Sequence, residues 1–296
     1  MAAGNFRFIV SYDGTRYYGW EHQPNTDLTI QGKLETVLTR MQGEEHEPEA
    51  ALLQPGHNND LPSSSRRKPG QRPSAAMEQD SGTADAAGLR HAVTVIGAGR
   101  TDAGVHARAM TCNALLDTAW SELEIQRYMN RYLPDDISVN DVKRVSDRFH
   151  SRYNAIGKTY RYTFWYDEGG RGPVFDRKYV TVLKAAPDVE KMREAAQFLT
   201  GEHDFKSFCG NPHMKKSTVR KVDTIRMETS GNYIRIYFHG SGFLQAQVRI
   251  MTGTLLECGY GRLLPRDIPR ILDAKDRAQA GPTAPAAGLC LMKVDY

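Results

Sequence analysis

Between Glu44 and Arg90 the chain carries none of its 27 aromatic residues but five of its 14 prolines, so its fold must be built from the sequence on either side. Eight Asp or Glu against five Lys or Arg give this stretch a net charge of −3, leaving +7 on the remainder of a chain whose formal total is +4. Runs such as Gln54-Pro55-Gly56-His57-Asn58-Asn59-Asp60 cannot bury enough apolar surface to offset the entropy of ordering them. Residues 43–91 therefore read as a disordered insertion within a domain, and Arg66-Arg67-Lys68 as a solvated tract rather than a nuclear signal. Without the insertion, roughly 250 residues remain, enough for a sizeable core and about two domains. Their positive surplus suits an anionic partner, and plain solubility equally. The chain has no run of eighteen apolar residues, which excludes a transmembrane helix. Strand-like sequence begins at Asn5, so no signal or transit peptide is expected. Cys112, Cys209, Cys258 and Cys290 are widely spaced without a C-x-x-C pair, so neither a disulfide framework nor structural zinc is expected.

The flanking sequence alternates between strand and helix periods. Phe6, Phe8, Val10 and Tyr12 alternate along an early strand closed by Asp13-Gly14. Ile30, Leu34, Val37, Leu38 and Met41 predict a helix from about Thr29 to Gln42. A short buried strand is predicted over Val93–Ile96, and another from Arg108 to Leu116. Ser121 and Glu124 form a capping box, with Trp120 and Ile125 placed as a staple, opening a helix that stops at Leu133-Pro134. A strand follows near Ile137 to Val145. Tyr160, Tyr162, Phe164 and Tyr166 alternate with Thr159, Arg161, Thr163 and Trp165 in a strand bulky on both faces. Asp188 to Leu199 reads as a helix, Ile225–Glu228 and Tyr233–Phe238 as strands, Leu244 to Cys258 as a helix, and Leu289–Val294 as the last strand. Such alternation predicts two α+β units, each a sheet with helices on one face. We place them at 1–147, holding the insertion, and 148–296.

The densest chemistry lies in Gly97-Ala98-Gly99-Arg100-Thr101-Asp102-Ala103-Gly104-Val105-His106, where a strand delivers an Asp onto a glycine-rich turn open to a ligand. The spacing fits neither a phosphate loop nor a dinucleotide fingerprint. Taken alone, the run also reads as an Asx-turn, with Arg100 pairing at the surface. His203, Cys209 and His213 are close in sequence, but their Gly/Pro/Lys-rich setting reads as a loop rather than a metal site.

The part of this run from Gly99 to His106 resembles the active-site motif of the TruA-type tRNA pseudouridine synthases. Tyr12-Asp13-Gly14 with Tyr17-Tyr18-Gly19-Trp20 resembles that family's N-terminal signature, and Lys158-Thr159-Tyr160-Arg161-Tyr162 its second catalytic strand. The stretch from Phe243 to Gly253 resembles its late helix and Gly288-Leu289 its closing strand. The five matches occur in family order. Gln245-Ala246-Gln247 departs from the pattern, standing where many members carry His, Asn or Tyr, and the insertion replaces a short connector.

The resemblance implies two ferredoxin-like α+β halves sharing a continuous antiparallel sheet, with helices on one face and an RNA-binding cleft on the other. It implies an isomerase that breaks the N1–C1′ bond of a uridine, turns the base and rejoins it through C5, without a cofactor or metal. Asp102 takes the place of the nucleophile, by attack at C1′ or through a glycal-like intermediate. Arg100 and Arg249 are cationic candidates to pair with it and keep it ionised. Arg100 has a second implied role, filling the space the flipped base leaves. For Arg249 the plain alternative is a snorkelling surface arginine. Tyr160 matches the tyrosine that stacks on the target base, and Leu289 an apolar pocket wall, whereas Tyr162 and Phe164 read as core. Arg16, Lys158, Arg161, Lys215, Lys216, Arg220 and Lys221 could supply phosphate contacts. Further expectations are a tRNA substrate modified at tRNA positions 38 to 40, a homodimer, no nucleotide cofactor, no membrane, and a cytoplasmic location, with nucleus and organelle left open. A synthase acting on other tRNA or RNA positions is the alternative within the family, and two other classes compete: a catalytically silent RNA-binding paralogue, and a glycoside hydrolase using Asp13 or Asp117 as its second carboxylate.

Overall fold

The computed structural model describes residues 3–44, 92–211 and 213–296. The predicted insertion, apart from Gly43 and Glu44, and its Arg66–Lys68 patch lie outside the described residues. In chain order the elements are β1 (Gly4–Tyr12), α1 (Ile30–Gly43), β2 (Ile96–Gly97), β3 (His106–Leu116), α2 (Glu122–Tyr132), β4 (Ile137–Val145) and β5 (Gly157–Tyr166). They continue with β6 (Thr181–Leu183), α3 (Val189–Phe198), β7 (Gly201–Asp204), β8 (Val219–Ser230), β9 (Tyr233–Gly240), α4 (Gln247–Gly259), α5 (Ile268–Ala274) and β10 (Leu289–Asp295).

Period-two burial explains the sheet. Phe6, Phe8, Val10 and Tyr12 of β1, Tyr160, Tyr162 and Phe164 of β5, and Ile234, Ile236 and Phe238 of β9 face one core, which the apolar stripes of all five helices complete. The strands form one ten-stranded sheet in the order β4-β1-β3-β10-β5-β9-β8-β7, with β2 on β3 and β6 on β5. Most pairs are antiparallel, but β10 with β3 and β6 with β5 are parallel. The C-terminal strand thus joins the two groups of strands. On β3 it pairs at His106–Ala107, while β2 pairs further along at Cys112–Asn113. The loop from Ala98 to Val105 leaves from this junction. The face without helices carries a cleft of 730 Å³, lined in part by Asp13, Arg108, Arg161 and Arg235.

Local chemistry sets several ends where the sequence placed them. Thr29 caps α1, and Ser121 and Glu124 form the capping box of α2, with Trp120 edge-on to Tyr128 at 5.2 Å. Elsewhere the structure differs. Of the strand predicted over Val93–Ile96 only Ile96 pairs, because side chains of α1 take the neighbouring strand's place. Thr39 Oγ1 accepts from Val93 N–H at 3.0 Å, Glu35 Oε1 accepts from Val95 N–H at 2.8 Å, and Gln31 donates to the Val95 carbonyl at 3.1 Å. The helix predicted from Leu244 begins at Gln247, since Ala246 is left-handed (φ 55°) and the Gln247 side chain accepts from Leu244 N–H at 2.7 Å. His203, read as a loop residue, lies on β7, where its Nε2 meets the Thr200 carbonyl. β8 is far longer than predicted, and β6, β7 and α5 were not anticipated.

The chain crosses from β4, at one sheet edge, to β5 near the centre over a polar hub. Asn5 donates to the Ser146 and Phe149 carbonyls at 3.0 and 2.8 Å, and Asn113 donates to Asn5 Oδ1 at 3.0 Å. Asn113 Oδ1 also accepts from the backbone N–H and hydroxyl of buried Ser151, at 2.9 and 2.7 Å. Asn113→Ala strips both Ser151 donors of their acceptor and is expected to cost about 2–3 kcal/mol in a urea melt.

Candidate active site

The loop that carries Asp102 is held from both sides. Ala98 N–H donates to the Thr111 carbonyl at 2.8 Å, extending the β2–β3 ladder, and Val105 N–H closes a turn on the Asp102 carbonyl at 3.1 Å. The N-terminal segment grips its centre. Trp20 N–H donates to the Thr101 carbonyl at 3.1 Å, Gly104 N–H to the Tyr17 carbonyl at 3.2 Å, and the Tyr12 hydroxyl meets Thr101 Oγ1 at 2.9 Å. Gly19 is needed for this grip: its φ is +99°, and a Cβ there would lie 2.7 Å from the Thr101 carbonyl oxygen. A bulge between Val10 and Tyr12 breaks the β1–β3 register just where Tyr12 reaches Thr101.

Arg249, in the first turn of α4, donates from Nη1 to Asp102 Oδ2 at 2.8 Å and from Nε to the Ala284 carbonyl at 2.8 Å. Its own carbonyl accepts from Ala284 N–H at 3.1 Å. The guanidinium is therefore aimed rather than snorkelling. The Asp102 and Arg249 side chains are 29% and 19% exposed, so a substrate can reach the pair while bulk solvent screens it little. Arg100 does not pair with Asp102. Its side chain is 64% exposed and bridges to Glu21, the surface pairing that the plain reading of this run allowed.

Tyr160 is buried on the β5 face shared with Tyr162, with its ring edge-on to Phe243 at 5.4 Å. Burial first, and then the nearby charge of Asp102, push its pKa up, so the phenol stays protonated and can donate. Leu289 is buried opposite Tyr162, and Leu291 stands opposite Tyr160. Tyr162 is core: its hydroxyl is spent on Thr181 Oγ1 and the Pro285 carbonyl, each at 2.7 Å. Asp102, Arg249 and Tyr160 thus lie on the helix-bearing side of the sheet.

The basic residues divide. Arg16 is chelated by Asp136, Lys158 is turned inward to the Ala98 carbonyl, and Lys221 pairs with Asp223 at 3.2 Å. Arg220 bonds the carbonyls of Ser217 and Val219. Arg161 lines the cleft on the other face, and Lys215 and Lys216 are exposed. The sequence reading missed the Tyr12–Thr101 contact, the Ala284 carbonyl and His106. The last is buried, accepts from Gly14 N–H on Nδ1 at 3.0 Å, and has its pKa pushed down by burial against the pull of Asp13. Position within a motif was the one available signal for these. Among the described residues no group of three or more His, Cys, Asp or Glu is arranged to hold a metal ion.

A family profile described as tRNA pseudouridine synthase matches residues 8–154 and 195–296. The chain belongs to the tRNA pseudouridine synthase family. It is 38% identical over 292 residues to tRNA pseudouridine synthase A of Bacillus sp. (strain KSM-64), covering 99% of each chain. Over the same length and coverage it is 36% identical to tRNA pseudouridine synthase A 2 of Bacillus cereus (strain ATCC 10987 / NRS 248) and 35% identical to tRNA pseudouridine synthase A of Clostridium kluyveri. The family's enzymes are isomerases. Within the profile match fall Asp102, Arg249 and the N-terminal grip, whereas Lys158 and Tyr160 lie between its two stretches.

In a synthase of this family the grip on Thr101 is expected to matter for rate. Tyr12→Phe and Thr101→Val should each slow uridine isomerisation about tenfold with tRNA affinity unchanged, and the double variant should be no slower, since all three lose one shared hydrogen bond. Single-turnover assays of the four proteins check this.

Proposed function

We propose that this protein isomerises uridine to pseudouridine in the anticodon arm of tRNA, at tRNA positions 38 to 40. The observation that carries the reading is a reachable carboxylate, Asp102, held by Arg249 beside a protonated tyrosine. In the proposed reaction the uridine leaves the helical stack, at a cost of a few kcal/mol, and enters between Tyr160 and Leu289. Asp102 serves as the nucleophile when the N1–C1′ bond breaks. The base turns, C5 bonds to C1′, the C5 proton is lost and N1 gains one, so neither water nor a redox partner is consumed. Arg100, exposed at the rim, is free to exchange Glu21 for the space left in the RNA. Lys215, Lys216 and Arg220 are proposed to contact the backbone.

The hydrolase reading loses its second carboxylate. Asp13 lies in the opposite cleft, held by Thr15 and near His106 and Lys178. Asp117 follows the far end of β3, about 20 Å at the usual strand rise from Thr111, where the loop begins at Ala98. We further propose that residues 1–147 and 148–296 are the two domains, and that the protein works in the cytoplasm. It is proposed to act as a homodimer. Among the described residues no helix is long and apolar enough to cross a membrane.

The test is pseudouridine formation on an unmodified tRNA transcript, mapped by carbodiimide labelling and primer extension. Wild type should give a stop in the anticodon arm, and Asp102→Ala should bind the tRNA and give none. Free uracil would point to a hydrolase, and binding without any stop from wild type to a silent paralogue.

A further inference from the structure

Lys158 stands two residues before Tyr160 on the same face of β5 and points under the Asp102 loop. Its ammonium donates to the Ala98 carbonyl at 2.8 Å and forms no ion pair among the described residues. Burial, and then repulsion from Arg152 and Arg220, push its pKa down to about 8. A lysine meant for RNA phosphates would stand clear of the protein, and this one is turned into it. Gly99 completes the arrangement: a Cβ there would lie 2.8 Å from the Lys158 nitrogen. The glycine that opens Gly99-Arg100-Thr101-Asp102 therefore makes room for an ammonium, where the sequence had suggested room for a ligand. Its φ is not in the left-handed region, so alanine is acceptable to the backbone and the conflict is with the lysine alone.

We propose that Lys158 is a positioning residue that braces the Ala98 carbonyl and so fixes where the loop presents Asp102 to Arg249, without contacting RNA phosphate. The proposal rests on the reading of Asp102 as the reacting group. Two features carry it independently of charge: the hydrogen bond to the main chain three residues before Thr101, and a loop glycine where a Cβ would meet only the end of Lys158 and push its ammonium aside. Displacing the nitrogen releases the loop between its β3 anchor at Ala98 and its grip at Thr101. A shift of about 1 Å in a reacting group is enough to cost on the order of a hundredfold in rate.

The experiment compares wild type, Lys158→Met, Gly99→Ala and the double variant by single-turnover pseudouridine formation at saturating enzyme, and by tRNA binding across a salt series. Each single variant is expected to react about 10- to 100-fold more slowly. Each should keep the wild-type Kd and the wild-type slope of log Kd against log salt. The double variant should be no slower than the slower single, because both changes remove one hydrogen bond. A Lys158→Met protein that reacts at the wild-type rate when saturated, but binds more weakly with a salt slope smaller by about 0.7–0.9, would overturn the proposal in favour of a phosphate contact. Rate losses that multiply in the double variant would overturn it as well. An inactive wild type would bring down the Asp102 reading first, and the brace with it.

Discussion

A single ion pair, Asp102 with Arg249, fastens a loop from the first half of the chain to a helix from the second, across 147 positions of sequence. Its worth lies in what holds each partner. The carboxylate sits on a loop gripped at Ala98, Thr101 and Gly104, and the guanidinium is braced by the Ala284 carbonyl. With both ends fixed, the pair forms without the rotamer entropy that makes surface salt bridges weak. Removing either partner leaves a partly desolvated charge uncompensated, which is far costlier than the pair's net value. The same arrangement leaves the Asp102 carboxylate partly exposed.

The rest of the architecture brings those two ends together. β10 inserts between β3 and β5, so the strand that starts just after the Asp102 loop and the strand that carries Tyr160 become near neighbours. Asn113 ties the crossover from β4 back to β1 and β3 with uncharged hydrogen bonds, which hold the halves in one sheet at little desolvation cost. At the head of α4 a left-handed Ala246 and the side chain of Gln247 set where the helix begins, and so where Arg249 points. The departure from the family pattern at Gln245-Ala246-Gln247 therefore falls on the residues that aim the arginine.

How much of this could be read beforehand depended on range. β1, β4, α2 and α3 were legible because period, caps and turn residues are local and lie within a few positions of one another. The extent of β2 was not, because Thr39 and Glu35, on a helix before the insertion, satisfy its backbone. β7 and the ends of β8 are half-exposed and charged, and only their neighbours make strands of them. In the candidate site, Asp102, Tyr160 and Leu289 were named through motif resemblance, and the pairing of Arg100 and Arg249 needed coordinates to decide. Lys158 and Arg16 had the composition of RNA contacts. Their partners, Ala98 and Asp136, lie 60 and 120 positions away, beyond what any local pattern encodes.

The central claim, that a guanidinium at Arg249 activates Asp102 through this pair, is tested most directly by chemical rescue. Single-turnover pseudouridine formation by Arg249→Ala would be measured on an unmodified tRNA transcript, with and without millimolar guanidinium and with sodium at equal ionic strength. The account predicts a severe loss of rate that guanidinium partly restores and sodium does not. A folded, tRNA-binding Arg249→Ala protein that keeps the wild-type rate, or that guanidinium leaves unchanged, would contradict it.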